Sequence, residues 1–239
     1  MDGHRRLAQV FVELADTLVE TFDVVEFLQV LSDRCVEILA VDGAGLLLAD
    51  QHGLLRWLAV SPEGGRVVEL SELDVQEGPG PDCFVAGRPL TDVHLDTAHG
   101  SWPTFGPAAV QAGFATAHAL PLRLRGHVIG ALVLFADRPA APDEERLAIA
   151  QAMADVATIG LLQQRAVREQ TELAAQLQAA LDSRVLIEQA KGVLAASAGI
   201  TVSEAFSRMR THARRTGLTL TAVATAVVNG QPDQVRLGF

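Results

Sequence analysis

The sequence contains few cysteines, a single lysine and no long apolar run. Two cysteines, Cys35 and Cys83, are too few for a disulfide framework, which indicates a reducing compartment. No stretch reaches the ~18 apolar residues of a membrane span, and the N-terminal residues lack a signal-peptide pattern. These absences argue against a secreted disulfide module and a membrane protein, and we expect a cytoplasmic protein with no membrane partner.

The motifs of common catalytic and metal sites are missing as well. There is no HExxH, CxxC or Walker A loop, and Gly78, Gly80 and Gly87 do not match the dinucleotide fingerprint. The histidines show no spacing that would assemble a metal site. The sequence therefore predicts no catalytic residues, no bound metal and no enzyme. An enzyme that acts on a small substrate stays open as an alternative.

The composition is that of a globular protein whose charge is unevenly distributed. The 239 residues are 49% hydrophobic, with a formal net charge of −10. Residues 1–183 contain 12 arginines against 26 acidic residues, whereas residues 184–215 contain five arginines and Lys191, the only lysine, against two glutamates. Such asymmetry indicates a terminal region that binds nucleic acid or an acidic partner. A solvated helical face that balances the acidic part is the alternative.

Hydrophobic periodicity predicts an α+β domain over residues 5–160. An apolar stripe indicates a helix over residues 5–21, and Asp23 is suited to cap a second helix. Two β-hairpins and a strand near Pro89–Val93 would form an antiparallel sheet, followed by a helix from Pro142. Helices would thus flank an antiparallel sheet. The four hairpin strands are predicted at Ala44–Ala49, Leu54–Val60, Ala115–Leu124 and His127–Phe135.

The remaining sequence predicts a coiled-coil helix over residues 161–183 and a small three-helix bundle over 184–230. A narrow apolar stripe includes Leu173, Leu177 and Leu181, as in a helix that pairs with another helix. We interpret it as a homodimer seam, although a helix packed on its own domain would show the same stripe. The bundle helices are predicted over Ser183–Ala196, from the capping box of Thr201 and Glu204 to Gly217, and from Leu220 to Gly230.

Basic residues of the bundle recur at helical spacing. Arg184 and Lys191 are seven residues apart, and Arg210 and Arg214 are one turn apart, with Arg215 at the margin. Like charges at these spacings repel, so their clustering indicates an anionic ligand such as phosphate. These five residues are our candidate RNA-binding set. The alternative is that they pair with acidic residues of the first domain.

The C-terminal motifs closely resemble those of the ANTAR family. The matches are SRVLIEQAKGVL at Ser183–Leu194, EAF at Glu204–Phe206, RTHAR at Arg210–Arg214 and LTAVA at Leu220–Ala224. The resemblance implies an RNA-binding three-helix bundle that acts in transcription antitermination, in which dimers bind paired hairpin loops of a leader RNA. Within it, we expect Ala190, Gly192 and Phe206 to let the helices pack closely.

The first domain resembles the GAF family in its order of elements and in the stretches GPGPDCFVAGRPLTDV and ALPLRLRGHVIGALVLF. That resemblance implies a sensory module whose pocket holds an unidentified small organic ligand. Ordinary core packing is the alternative role for the aromatic residues in this region, and a buried apolar role is the alternative for the cysteine. The candidate pocket residues are Cys83, Phe84, Trp102, Phe105 and His118.

Together the two resemblances predict a ligand-responsive antitermination regulator. A ligand that prefers one dimer arrangement would shift the population of arrangements and so alter RNA binding. The step Thr216–Thr219 before the last helix is uncharged, whereas many ANTAR domains have basic residues there. A sensor whose C-terminal helices bind a partner protein instead of RNA is therefore the alternative.

Overall fold

The computed structural model describes residues 2–17, 23–61, 66–71, 76–138 and 144–230. The chain divides into two compact units, residues 1–165 and 166–239. In chain order the helices are α1 Asp2–Thr17, α2 Val24–Leu39, α3 Arg66–Ser71, α4 Pro79–Ala86, α5 Phe105–Gln111, α6 Glu144–Ala198, α7 Val202–Thr216 and α8 Leu220–Val228. The strands are β1 Gly43–Ala49, β2 Leu55–Val60, β3 Leu90–His94, β4 Thr116–Leu124 and β5 His127–Ala136.

The sheet of the first unit has five antiparallel strands in the order β2-β1-β5-β4-β3. Both predicted hairpins and the predicted edge strand are present within a residue or two of the expected bounds. The fold class predicted from the sequence, α+β with an antiparallel sheet, is confirmed. The pairing of β1 with β2 contains a bulge between Leu46 and Leu47, which shifts the register of the two strands.

Each face of the sheet is buried under its own set of helices because the strands alternate their side chains. Leu132 and Leu134 of β5 join a core that includes residues of α1, α2 and the beginning of α6. Ala131, Val133 and Phe135 join a second core with residues of α3, α4 and α5. The second face carries the candidate ligand cleft.

Local capping signals correctly predicted several helix ends. The Asp23 side chain accepts hydrogen bonds from the backbone N–H groups of Val25 and Glu26 at the start of α2. Thr201 accepts the N–H of Glu204, and Gly217 ends α7 with a φ of 69°. The predicted helix over residues 5–21 corresponds to α1, and its last residues, 18–21, lie outside the described ranges.

The helix start predicted at Ser183 is wrong, because one helix, α6, runs without interruption from Glu144 to Ala198. No glycine or proline lies between residues 161 and 191, so nothing in the backbone stops the helix there. Asp182 and Ser183 do not cap a new helix; the Asp182 side chain instead accepts a hydrogen bond from Gln178, one turn earlier.

The second unit has a small core between the end of α6, α7 and α8. Ala190 and Leu194 of α6 pack with Ala205 and Met209 of α7 and with Val223 of α8, all nearly or fully buried. Thr219 caps α8 by accepting the backbone N–H of Ala222. This core confirms the predicted bundle, whose first helix is the last part of α6.

Among the described helices, none alone has the length and apolarity to cross a membrane. Only α6 and α7 taken together pass that test of length and composition, which core helices of soluble proteins also pass.

Candidate functional site

A small cleft that is partly open to solvent lies on the sheet face that α4 and α5 cover. Leu47 of β1 and Val133 of β5 line it from the sheet, and the Trp57 and Phe105 rings line it from β2 and α5. Residues 77–81, at and before the start of α4, complete the lining. In this conformation the cleft has room for about one water molecule.

Two glycines allow the start of α4 to lie close to the cleft. Gly80 packs directly on the sheet, where an added Cβ would be 2.8 Å from a methyl carbon of Leu47 and 3.0 Å from one of Val133. Gly78 has a φ of +122°, and a Cβ there would be 3.1 Å from the Phe105 ring. A larger side chain at either position would push α4 or the ring away.

Glu77 is a half-buried carboxylate in the lining. Its Oε1 accepts hydrogen bonds from the backbone N–H groups of Thr104 and Phe105, at the start of α5. The carboxylate therefore ties α5 to the segment before α4. Nearby, the Trp102 indole donates to the Asp82 carboxylate over 3.0 Å, which ties α4 to the turn before α5.

The predicted pocket residues separate into different environments. Phe105 lines the cleft. Cys83 and Trp102 are buried in the core of the same sheet face, and Phe84 packs against that core. Trp57, Glu77 and Leu47 were not anticipated from the sequence.

His118 faces away from this core, because its neighbours on β4, Ala117 and Ala119, both point into it. The ring is fully buried, and its Nδ1 accepts the backbone N–H of Asp92 over 2.9 Å. Asp92 has a φ of 56°, in the left-handed region, within an irregular stretch of β3. The Nε2 has no hydrogen-bond partner among the described residues. Burial lowers the pKa of His118, so the neutral ring is favoured.

The Cys83 thiol donates a hydrogen bond to the carbonyl of Arg88 over 3.3 Å. Burial raises the pKa of Cys83 to about 12, and it raises the pKa of Cys35 to about 12 as well. Both thiols are therefore neutral at physiological pH, and a neutral thiol is a poor nucleophile. Among the described residues, no three His, Cys, Asp or Glu side chains come together as metal ligands would.

The second unit presents a basic surface on α6 and α7. The side chains of Arg184, Arg210 and Arg214 are exposed, and no ion pair engages them among the described residues. Arg215 is exposed too, and it lies 3.3 Å from the Nδ1 of the buried His212. Four of the five predicted basic residues are thus accessible to an anion.

Lys191 has a different environment from the arginines. Its ammonium group binds both carboxylate oxygens of Glu188 at 2.8 Å, and its side chain is only 17% exposed. The same group lies 5.5 Å from the centre of the Phe206 ring, a cation–π distance. Lys191 therefore links α6 to α7 and is already partly neutralised.

Gly192 does not have the packing role expected for it. An added Cβ would meet nothing within 4 Å, so the helices do not need a glycine there to approach each other. Ala190, by contrast, is fully buried in the bundle core, as expected. A sequence pattern shows that a glycine lies in a helix but not which side of the helix is covered.

Family models match both units of the chain. The model of the GAF domain matches residues 22–161, and the model of the ANTAR domain matches residues 175–228. A comparison with curated proteins found no match.

Several solved structures share the fold of the first unit. The GAF domain of a phosphoenolpyruvate-protein phosphotransferase from Coxiella burnetii is 17% identical with a TM-score of 0.54, over 68% of this chain and 96% of that one. A domain of a sensor histidine kinase from Sinorhizobium meliloti 1021 is 20% identical with a TM-score of 0.51, over 61% and 95%. The free methionine-R-sulfoxide reductase from Neisseria meningitidis, in complex with its substrate, is 14% identical with a TM-score of 0.50, over 67% and 91%. At these identities the likeness concerns the fold.

Proposed function

Because the chain belongs to the GAF domain family and carries an ANTAR domain after it, we propose that it is a ligand-responsive regulator of transcription antitermination. A sensor domain with an RNA-binding output domain follows from the two families. In the mechanism that we propose, a dimer binds paired hairpin loops of a leader transcript in the cytoplasm.

The exposed arginines of the second unit support this proposal most directly. Arg184, Arg210 and Arg214 have no ion-pair partner among the described residues, although acidic residues outnumber basic ones in the whole chain. A guanidinium group forks onto phosphate oxygens and stacks on unpaired bases, both of which RNA loops present. The exposed arginines therefore favour RNA, rather than a neutral protein surface, as the binding partner.

A salt titration of RNA binding tests the proposal. Arg210→Ala combined with Arg214→Ala should leave folding intact, because exposed substitutions change the free energy of unfolding by under about 0.5 kcal/mol. The same variant should weaken binding of a two-hairpin RNA and flatten its salt dependence by roughly one unit of slope per lost phosphate contact. Arg56→Ala, an exposed arginine of β2, is the matched control.

The alternative proposal, a partner protein on the C-terminal helices, predicts a different result. An apolar protein contact releases few counterions, so its affinity would change little with salt. Unchanged RNA binding in the double arginine variant at every salt concentration would contradict the RNA surface proposed here.

We further propose that the first unit binds its ligand without converting it. The neutral, buried thiols of Cys35 and Cys83 support this, since a thiol-dependent reductase needs a reactive cysteine. Incubation with methionine-R-sulfoxide and a thiol reductant should give no turnover above the uncatalysed rate. Turnover that disappears in a Cys83→Ser variant would instead identify an enzyme.

Ligand control of RNA binding would follow from a shift between dimer states. A ligand changes their populations only to the extent that its affinities for the two states differ. The stripe of Leu173, Leu177 and Leu181, exposed by 56–58%, is the surface that we propose for the dimer contact.

A further inference from the structure

The cleft of the first unit is lined by flat rings and aliphatic side chains. The Trp57 indole lies over Gly45 of the neighbouring strand, where an added Cβ would overlap the ring. Phe105 of α5 also lines the cleft, as do Leu47 and Val133 of the sheet. Such a lining favours a ligand with a flat apolar group, because ring faces and methyl groups offer little hydrogen bonding.

Glu77 is the one charged side chain among the described residues that line the cleft. Its Oε1 is engaged by two backbone N–H groups, whereas its Oε2 has no partner among the described residues. No described arginine, lysine or histidine lines the cleft. A cation would gain from the carboxylate and from the electron-rich ring faces, whereas an anion would be repelled by both.

The cleft can enlarge most readily at Trp57. Phe105 is 3% exposed and its ring packs on Trp102 and Phe135 at centroid distances of 6.3 Å, so it is held in place. Trp57 is partly exposed and belongs to β2, which is an edge strand. A ligand larger than water therefore enters by displacing this indole outward, and the indole fluorescence reports that displacement.

We propose that this cleft binds a small aromatic cation, such as an arylalkylamine, with its ring against Trp57 and Phe105 and its ammonium group on Oε2 of Glu77. The inference rests on the sensor role proposed above and specifies the class of ligand that the sensor accepts. It excludes cyclic nucleotides and other phosphorylated ligands from this cleft, because no described cation in the lining would neutralise them.

A series of three probes of matched shape tests the charge preference on the full chain. The probes are 2-phenylethylammonium, 2-phenylethanol and 3-phenylpropanoate, which bear a positive, a neutral and a negative group on the same ring. Binding is followed by tryptophan fluorescence and by calorimetry, with dissociation constants expected in the millimolar range for molecules of this size. The cation should bind about tenfold more tightly than the anion, with the alcohol between them.

Glu77→Gln should remove most of the difference in affinity between the cation and the alcohol, while the affinity for the alcohol should stay unchanged. The glutamine oxygen can still accept the two backbone N–H groups, so the start of α5 should be retained. Glu26→Gln, an exposed glutamate of α2, is the matched control and should behave as the parent does. Trp57→Ala should lower the affinity for all three probes by a similar factor.

The parent chain alone can overturn the proposal, even if a variant does not fold. Anion binding as tight as cation binding, or no binding of any probe at millimolar concentrations, would contradict it. Hairpin-RNA binding is measured on the same samples without a probe. Intact RNA binding with a failed probe series would reject the ligand class only, whereas probe binding without RNA binding would reject the regulator proposed above.

Discussion

The Nζ atom of Lys191 lies 2.8 Å from each carboxylate oxygen of Glu188, one turn earlier on the same helix. This pair lies on the helix face that also presents Arg184. An anion that approaches the surface must therefore compete with Glu188 for Lys191, and it meets a negative charge between two positive ones. Arg210 and Arg214 of α7 are under no such competition from the described ion pairs, whereas Arg208 is paired with Glu204 over 3.0 Å.

Glu188→Gln should strengthen hairpin-RNA binding, because the substitution removes the competing charge and frees Lys191. The gain should be a few-fold at low salt and should shrink as salt increases, since screening weakens exposed charges. Filter binding or fluorescence anisotropy over a salt series measures it. Asp182→Asn, which removes a negative charge from the preceding turns, is a control for net charge alone; an equal gain in both variants would contradict a specific role of the Glu188–Lys191 pair.

Leu173→Glu with Leu177→Glu should convert a dimer into monomers, because both leucines are more than half exposed on one stripe of α6. Two buried carboxylates at a helix seam would cost more than the apolar contact contributes. Light scattering measures the mass.

Ala175→Glu with Ala179→Glu places the same charges, at the same spacing, on the opposite side of this helix and should leave the dimer intact. If the leucine variant keeps the mass of a dimer, the leucine stripe is not the dimer contact.

A network of four side chains joins α1 to α2 and should make the stability of the first unit depend on pH. Arg34 binds Glu13 and Glu37, and Arg6 binds Glu37. The hydrogen bond from Arg34 is the main cause that lowers the pKa of Glu13, and the hydrogen bond from Arg6 does the same for Glu37. Because the pKa of each glutamate is lower in the folded state, each one stabilises the fold at pH values above its ordinary pKa of 4.5. This stability is lost as the pH falls through the lowered pKa.

Arg34→Met should therefore lower the free energy of unfolding near neutral pH by up to about 1 kcal/mol, the upper range for partly exposed pairs. This difference from the parent should shrink at about pH 2, because acid protonates the glutamates and so removes their charge interaction with Arg34. Urea unfolding at the two pH values measures it. A difference that stays constant with pH would assign the effect to packing of the arginine stem instead.

Local signals in the sequence were sufficient to predict the hairpins and most helix ends. Asp23, Thr201 and Gly217 act on backbone groups within a few residues, so their effects can be read without knowing the tertiary fold. The absence of a stop near Ser183 was also visible in the sequence, as a long stretch without glycine or proline. The change from acidic to basic composition at residue 184 predicts a helix boundary there, but the backbone of α6 continues through it.

The cleft could not be predicted because its lining comes from segments far apart in the chain. Trp57 reaches it from β2, and the irregular register at Leu46 and Leu47 decides which residues of that strand face the cleft. The Glu188–Lys191 pair can be predicted from the sequence, because Glu188 precedes Lys191 by three residues, a spacing at which opposite charges meet on a helix. The spacing of the basic residues alone does not indicate this pair.

The contact between His118 and Asp92 also restricts which sequences this fold can tolerate. Asp92 holds a left-handed backbone conformation that disfavours most side chains, and its N–H group is received by the ring of a buried histidine. Glycine could replace Asp92 alone, because it adopts that conformation without strain. Replacing His118 alone would leave a strained residue whose N–H group has lost its acceptor. The two positions are therefore epistatic: the effect of a change at 118 depends on the residue at 92, and glycine at 92 would remove the strain although it would not restore the lost acceptor.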